Sequence, residues 1–315
     1  MTLFRELLAA IERAEPVVWV VVAEVRGSAP REVGAGMLVT AKGIHGTIGG
    51  GRLEQKAVEL ARERLHLAQS SATRRHYPLG PALGQCCGGA VDLLFRPLDT
   101  SATPWVAALS ASERNGGEVV LSTRLDAGAG HTTLGDAAVA GAVVTRHAFN
   151  PWRVWVFGAG HVGRALAQVF SSLPCDFIWV DSRDEEYPAR VSANVTVLRS
   201  DHPADEVRDI SPGADVLVLT HSHVLDMEIV RALLKRDDLG YIGMIGSATK
   251  AMLFRRRLAA RGVPAHAIAR LTCPIGSPLA GDKHPGSIAV GVAAELLLRR
   301  RSGATSFVPH AVDET

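Results

Sequence analysis

From Pro151 onwards the chain alternates short apolar runs with helix-like stretches, and no other feature restricts its folding so tightly. The apolar runs are Val154–Phe157, Phe177–Val180, Val195–Leu198, Val216–Leu219 and Tyr241–Ile245. Helix-like stretches lie between or after most of them, at Gly163–Ser171, Leu225–Lys235, Lys250–Arg261 and Ser287–Arg301. Runs this short and this uniformly apolar suit strands buried on both faces, which is the situation in a parallel sheet covered on both sides by its connecting helices. The expected class is α/β, with a Rossmann-like, doubly wound parallel-sheet domain over residues 151–302.

The first half reads differently. Residues 2–14 suit an amphipathic helix, and Val17–Val25 is a Val-rich run like a buried strand. Gly36–Thr40 and His45–Ile48 are strand-like, Arg52–Leu67 is helical by spacing and composition, and Ala90–Arg96 is again extended. Val106–Glu113 looks helical and Glu118–Arg124 extended. This pattern predicts an α+β domain over 1–125. Residues 126–150, rich in Gly and Ala and weakly periodic, read as a linker, and 303–315 as a tail.

Composition limits function. At 315 residues two domains are expected, and with 47% hydrophobic residues each can bury a core. A net charge of +2 argues for no nucleic-acid partner. The longest apolar run, Val17–Ala23, is far below the roughly 18 residues of a membrane span. The four cysteines form no disulfide framework, so reduced thiols and a cytoplasmic location are expected.

Gly158-Ala159-Gly160-His161-Val162-Gly163 directly follows the first strand of the second domain and opens a helix, and the next strand ends in Asp181. In such a place glycines let a backbone approach a phosphate at a helix N-terminus, and the acid accepts from a ribose hydroxyl. The bland alternative is that they serve only a tight turn and close packing. The fourth strand ends in His221, His223 and Asp226, across the expected switch point from the glycine loop. His-x-His-x-x-Asp is half of a dinuclear hydrolase signature, but Met227 stands where a second histidine is required. A metal site, a pocket for a polar heterocycle and a capping Asp226 with loop histidines all fit this spacing. Gly246 and Ser247, before the helix containing Lys250, add another anion-binding N-terminus at the same edge. In the first domain, Gln85-Cys86-Cys87-Gly88-Gly89 holds thiols that are either small buried hydrophobes or accessible nucleophiles. Cys175 and Cys273 read as structural.

Taken together, GSAPREVGAGMLV (27–39), GTIGGGRLE (46–54), GQCCGG (84–89), VFGAGHVGRAL (156–166), VDSR (180–183), THSHVLD (220–226), YIGMIGSATK (241–250) and CPIGSP (273–278) resemble the XdhC/CoxI family. The likeness runs in order from about residue 17 to about residue 298. It implies an N-terminal XdhC/CoxI domain followed by a Rossmann-like domain, in an accessory protein for xanthine dehydrogenase and related molybdenum hydroxylases. Such a protein is not itself an enzyme. It would bind the molybdenum cofactor as cargo, hold it during sulfuration by a NifS-type cysteine desulfurase, and promote its insertion into the molybdenum-binding subunit. The cofactor-binding residues expected from the resemblance and the motifs together are Gly158, Gly160, His161, Gly163, Asp181, His221, His223, Asp226, Cys86 and Cys87. A homodimer is expected. The competing readings are an NAD-dependent oxidoreductase using the same crevice and a metal-dependent hydrolase built on His221, His223 and Asp226. The segment after Pro274-Ile275-Gly276 departs from the family pattern and receives no role.

Overall fold

Strand β1 (Val17–Arg26) is apolar on both faces because it lies in the middle of a sheet covered on both sides. In the computed structural model, which describes residues 3–80, 88–125, 132–135, 142–276 and 282–303, it pairs antiparallel with β2 (Gly36–Thr40) and β5 (Ala90–Leu98). The edges of this five-stranded sheet are β3 (Ile44–Gly46) and β4 (Thr73–Pro78). Val18, Val20 and Val22 face helix α2 (Gly51–His66), whose Leu53, Ala57, Val58 and Ala61 recur at helical spacing. Val17, Trp19 and Val21 point the other way, onto α1 (Leu3–Glu12) and α3 (Thr103–Asn115). The sequence shows no apolar alternation in β4, TRRHYP, because an edge strand needs none.

Residues expected as a linker carry structure. β7 (Thr132–Leu134) and β8 (Ala142–Phe149) flank β6 (Gly117–Arg124) in a three-stranded antiparallel sheet, and Val119, Leu121 and Val143 join the core that holds Trp19. β8 alternates buried and exposed residues, so its periodicity is that of a strand although its preceding residues are small and irregular. The chain divides into Met1–Pro151 and Trp152–Thr315.

The second unit is the doubly wound domain that the alternation predicts. Six parallel strands, β9 (Arg153–Phe157), β10 (Asp176–Asp181), β11 (Val195–Arg199), β12 (Asp215–Val218), β13 (Tyr241–Met244) and β14 (Leu271–Thr272), lie in the order β11-β10-β9-β12-β13-β14. Val154 and Val156 pack against α4 (His161–Phe170) and α8 (Pro285–Gly303), while Trp155 and Phe157 face the layer formed by α5 (His223–Leu233) and α6 (Ala248–Ala260). The β11–β12 crossover carries a 3-10 segment, Pro203–Asp209, and α7 (Ala265–Ala269) leads into β14. β14 has only two residues, too few to register as a run. No helix among the described residues is long and apolar enough to cross a membrane.

Phe95 is fully buried between the five-stranded sheet and α2. Phe95→Ala is expected to remove about 3–5 kcal/mol of stability, read by urea unfolding. A loss below about 1 kcal/mol would contradict this packing.

Candidate functional site

β9 and β12 are neighbours, yet from β9 the chain moves out to β10 and from β12 to β13. Between two parallel strands whose connections diverge, a crevice opens beyond the carboxyl ends, which is where ligands of open α/β sheets sit. Here it is lined by Gly158, Asp181, Ser182, Pro203, Thr220 and His221, among others, and encloses about 180 Å³ including its open mouth. The glycine loop and the histidine loop of the sequence therefore meet here.

The three loop glycines have different reasons to be glycine. Gly158 has a φ of 123°, and a Cβ there would lie 2.3 Å from the carbonyl oxygen of Leu219 at the end of β12. A Cβ on Gly163 would lie 2.1 Å from the Gly158 carbonyl oxygen, so this residue brings α4 down onto the loop. That same oxygen accepts a hydrogen bond from Trp179 Nε1 at 2.9 Å. Gly160 has an ordinary φ of −65° and a Cβ there would meet nothing within 4 Å. Packing thus explains two glycines and leaves the third facing open space, at the N-cap of α4.

Asp181 is 4% exposed and its two oxygens are fully subscribed. Oδ2 accepts from Ala159 N–H at 2.6 Å and from the Arg183 guanidinium at 2.9 Å; Oδ1 accepts from Arg183 N–H and Nε, both at 3.0 Å. Burial by itself would raise this carboxyl, but the Arg183 side chain and the two backbone N–H groups outweigh it and hold it below its ordinary value. Its work is to fasten the glycine loop to the end of β10. Glu186 pairs with the far side of Arg183 at 3.0 Å.

Asp226 does the same for the other wall. It is fully buried, accepts from Thr220 N–H (3.1 Å) and Oγ1 (2.8 Å), and pairs with Lys250 Nζ at 2.7 Å. This carboxylate is therefore turned away from His221 and His223, both exposed. His221 lines the crevice, whereas His223 starts α5 and sets its ring edge-on to Phe254, centroids 6.5 Å apart. Among the described residues no three His, Cys, Asp or Glu side chains are grouped so as to hold a metal ion, and the Asp226 carboxylate of His-x-His-x-x-Asp is bonded to Thr220 and Lys250. Ser247 and Ser222 cap α6 and α5 with their own hydroxyls, at 3.2 Å to Lys250 N–H and 3.4 Å to Leu225 N–H. α4 has no side-chain cap, and exposed His161 is its first residue. Cys86 and Cys87 lie outside the described residues. Cys175 and Cys273 are buried, and burial pushes both thiols up, that of Cys175 to about 12.

Arg183 and Lys250 are the residues that sequence reasoning did not place. Arg183 could have been suspected from its spacing, two residues after the strand-end acid. Nothing local marks Lys250 as the partner of an acid 24 positions earlier.

Comparison with known proteins follows the same division. Residues 10–78 match the XdhC and CoxI family, and residues 154–296 match the XdhC Rossmann domain. A Bacillus halodurans protein described as a xanthine dehydrogenase has the same fold over 98% of each chain, with a TM-score of 0.76 and 25% identity. The uncharacterized protein YqeB of Escherichia coli K12 is 31% identical over 306 residues, 94% of this chain and 46% of that protein. The chain thus spans about half the length of this curated relative.

Two tests follow from the geometry. Gly163→Ala is expected to destabilise by about 1–3 kcal/mol, since its methyl collides with backbone, while Gly160→Ala stays within about 1 kcal/mol of the parent. Equal losses in urea unfolding would refute the distinction. For Asp181 the folded carboxyl is depressed, so its contribution is present above its ordinary value of 3.8 and is lost as pH falls through the folded value. Asp181→Asn should therefore be less stable than the parent by about 2–3 kcal/mol at neutral pH, with the gap narrowing in acid. An identical gap at both ends of the titration would contradict the assignment.

Proposed function

This chain belongs to the XdhC and CoxI family, and from that membership we propose that it is an accessory protein for the maturation of xanthine dehydrogenase or a related molybdenum hydroxylase. In this reading it is not an enzyme. It carries the molybdenum cofactor, holds it while a NifS-type desulfurase supplies sulfur, and delivers it to the molybdenum-binding subunit in the cytoplasm, acting as a homodimer.

The observation that carries the cargo assignment is Gly160, the one loop glycine that packing does not require, at a helix N-terminus whose N–H groups receive no side-chain cap. The absence of a side chain there leaves room for a phosphate oxygen to reach backbone N–H groups, and the helix dipole favours its charge. The strand-end acids support this, because both are tied up by Arg183 and Lys250 and offer no bare carboxylate to repel an anion. In this reading the phosphate end of the cofactor sits at the mouth of the crevice, against the glycine loop and the first turn of α4. The pterin would lie across the mouth beside His161 and His221, with its metal end outward for sulfuration and release. Gly158, Gly163, Asp181 and Asp226 shape this site by holding its walls. Cys86 and Cys87 are proposed to contact the metal or relay sulfur, a thiolate being a soft ligand and a nucleophile.

The decisive experiment incubates apo-xanthine dehydrogenase with molybdenum cofactor in the presence and absence of this protein; no gain in active hydroxylase would sink the proposal. Gly160→Asp, which places a carboxylate at the proposed phosphate position, should weaken cofactor binding at least about tenfold, or ~1.4 kcal/mol, while the protein stays folded. Saturable NAD binding abolished by this substitution, with cofactor binding intact, would favour an oxidoreductase instead.

A further inference from the structure

Helix α8 is apolar on two faces, whereas a helix with one side in water ordinarily has a polar outer face. Its inner residues Ala289, Val292, Ala293 and Leu296 pack on the parallel sheet and α4. On the outer face Val290 is 50% exposed, Leu297 37% and Leu298 57%. Ser287, Val290, Ala294, Leu297 and Arg301 succeed one another at steps of three, four, three and four residues. That is the spacing by which one helix presents a seam to another. The neighbouring helices differ. α4 turns His161, Arg164 and Gln168 to solvent, and α5, after Val224, turns Glu228 and Arg231.

The outer face of α8 is also self-complementary. Ala294 is its midpoint: Val290 stands four residues before it and Leu298 four after, Ser287 seven before and Arg301 seven after. In an antiparallel pair of α8 helices centred on Ala294, Val290 of each copy meets Leu298 of the other, and Arg301 meets Ser287. The Ser287 side chain bonds Asp282, and that bond and the His284 N–H hold its carboxyl below the ordinary value. Arg301 of one copy therefore arrives beside an exposed carboxylate of the other. The small Ala294 side chain lets the two axes approach closely at the centre. α6 also exposes Met252 and Leu253, but beside Arg255, Arg256 and Arg257, so a two-fold pair there would set like charges together.

We propose that the outer face of α8 is where a second copy of this chain docks, antiparallel and isologous about a two-fold axis at Ala294. The proposal rests on the homodimer reading above and names its surface. The Arg300 guanidinium lies 5.1 Å from the ring centroid of Trp152, the residue before β9. α8 therefore ends at the amino edge of the sheet, away from the crevice. Antiparallel pairing directs the two crevices to opposite ends, where each copy can load and release its own cargo.

The test is made on the full chain, by sedimentation and by disulfide trapping. The parent is expected to be a dimer at micromolar concentration. Leu298→Asp, at an exposed position, should weaken self-association at least about tenfold while the thermal midpoint holds. On mild oxidation the double variant Val290→Cys/Leu298→Cys should form a covalent dimer, and neither single variant should exceed the parent. A monomeric parent overturns both this surface and the homodimer reading. A dimer whose double variant cross-links no better than the single ones overturns this surface alone. Cross-linking as expected, with no gain of active hydroxylase in the insertion assay, supports the surface and leaves the maturation role refuted.

Discussion

The close approach of the Gly158 backbone to the end of β12 is the contact on which the second unit's architecture depends. With a Cβ at this position only 2.3 Å from the Leu219 oxygen, no other residue would let β9 turn into α4 while β12 lies alongside. The Leu219 N–H donates to the Phe157 carbonyl at 2.8 Å, so the two strands remain joined up to the point where the chain must leave. Gly163 then allows α4 to rest on the same loop, and Trp179 reaches the Gly158 carbonyl from the neighbouring strand. One loop thereby ties β9, β10, β12 and α4 together. The crevice is what remains outside that joint.

A joint made of backbone needs something to set its orientation, and two acids at strand ends provide it. Asp181 holds the loop by Ala159 N–H, and Asp226 holds the opposite wall by Thr220. Each would be an expensive buried charge alone, and each has a cation: Arg183 from its own strand end and Lys250 from α6. Breaking either pair leaves a carboxylate stranded, so these residues act on the site through the shape of its walls.

The parallel sheet was legible because strands buried on both faces must be apolar throughout, as in β9, β12 and β13, while the edge strand β11, VTVLR, is mostly exposed and was found by its short valine-rich run. β14 escaped because two residues carry no pattern, and β4 because an edge strand with Arg74, Arg75 and His76 has one polar side in water. β8 was hidden behind the small residues that precede it. Within the site, the glycines could be read directly since their spacing encodes the turn. The fate of the acids could not, because whether a carboxylate faces a ligand or a lysine depends on a contact 24 residues away.

The same acid separates the two uses of a Rossmann crevice. A dinucleotide site needs the carboxylate at the end of the second strand to accept from ribose hydroxyls, so it must keep lone pairs directed at the crevice. An ionised carboxylate has about four such acceptor positions. Asp181 spends four hydrogen bonds on Ala159 and Arg183, all between 2.6 and 3.0 Å. A ribose could bind there only by displacing Arg183 or releasing the glycine loop that Asp181 holds. A ligand held mainly by its phosphate makes no such demand, because Gly160 and the first turn of α4 remain available while Asp181 stays fastened. The bonding of this one residue therefore favours cargo anchored at one end over a nucleotide gripped along its length.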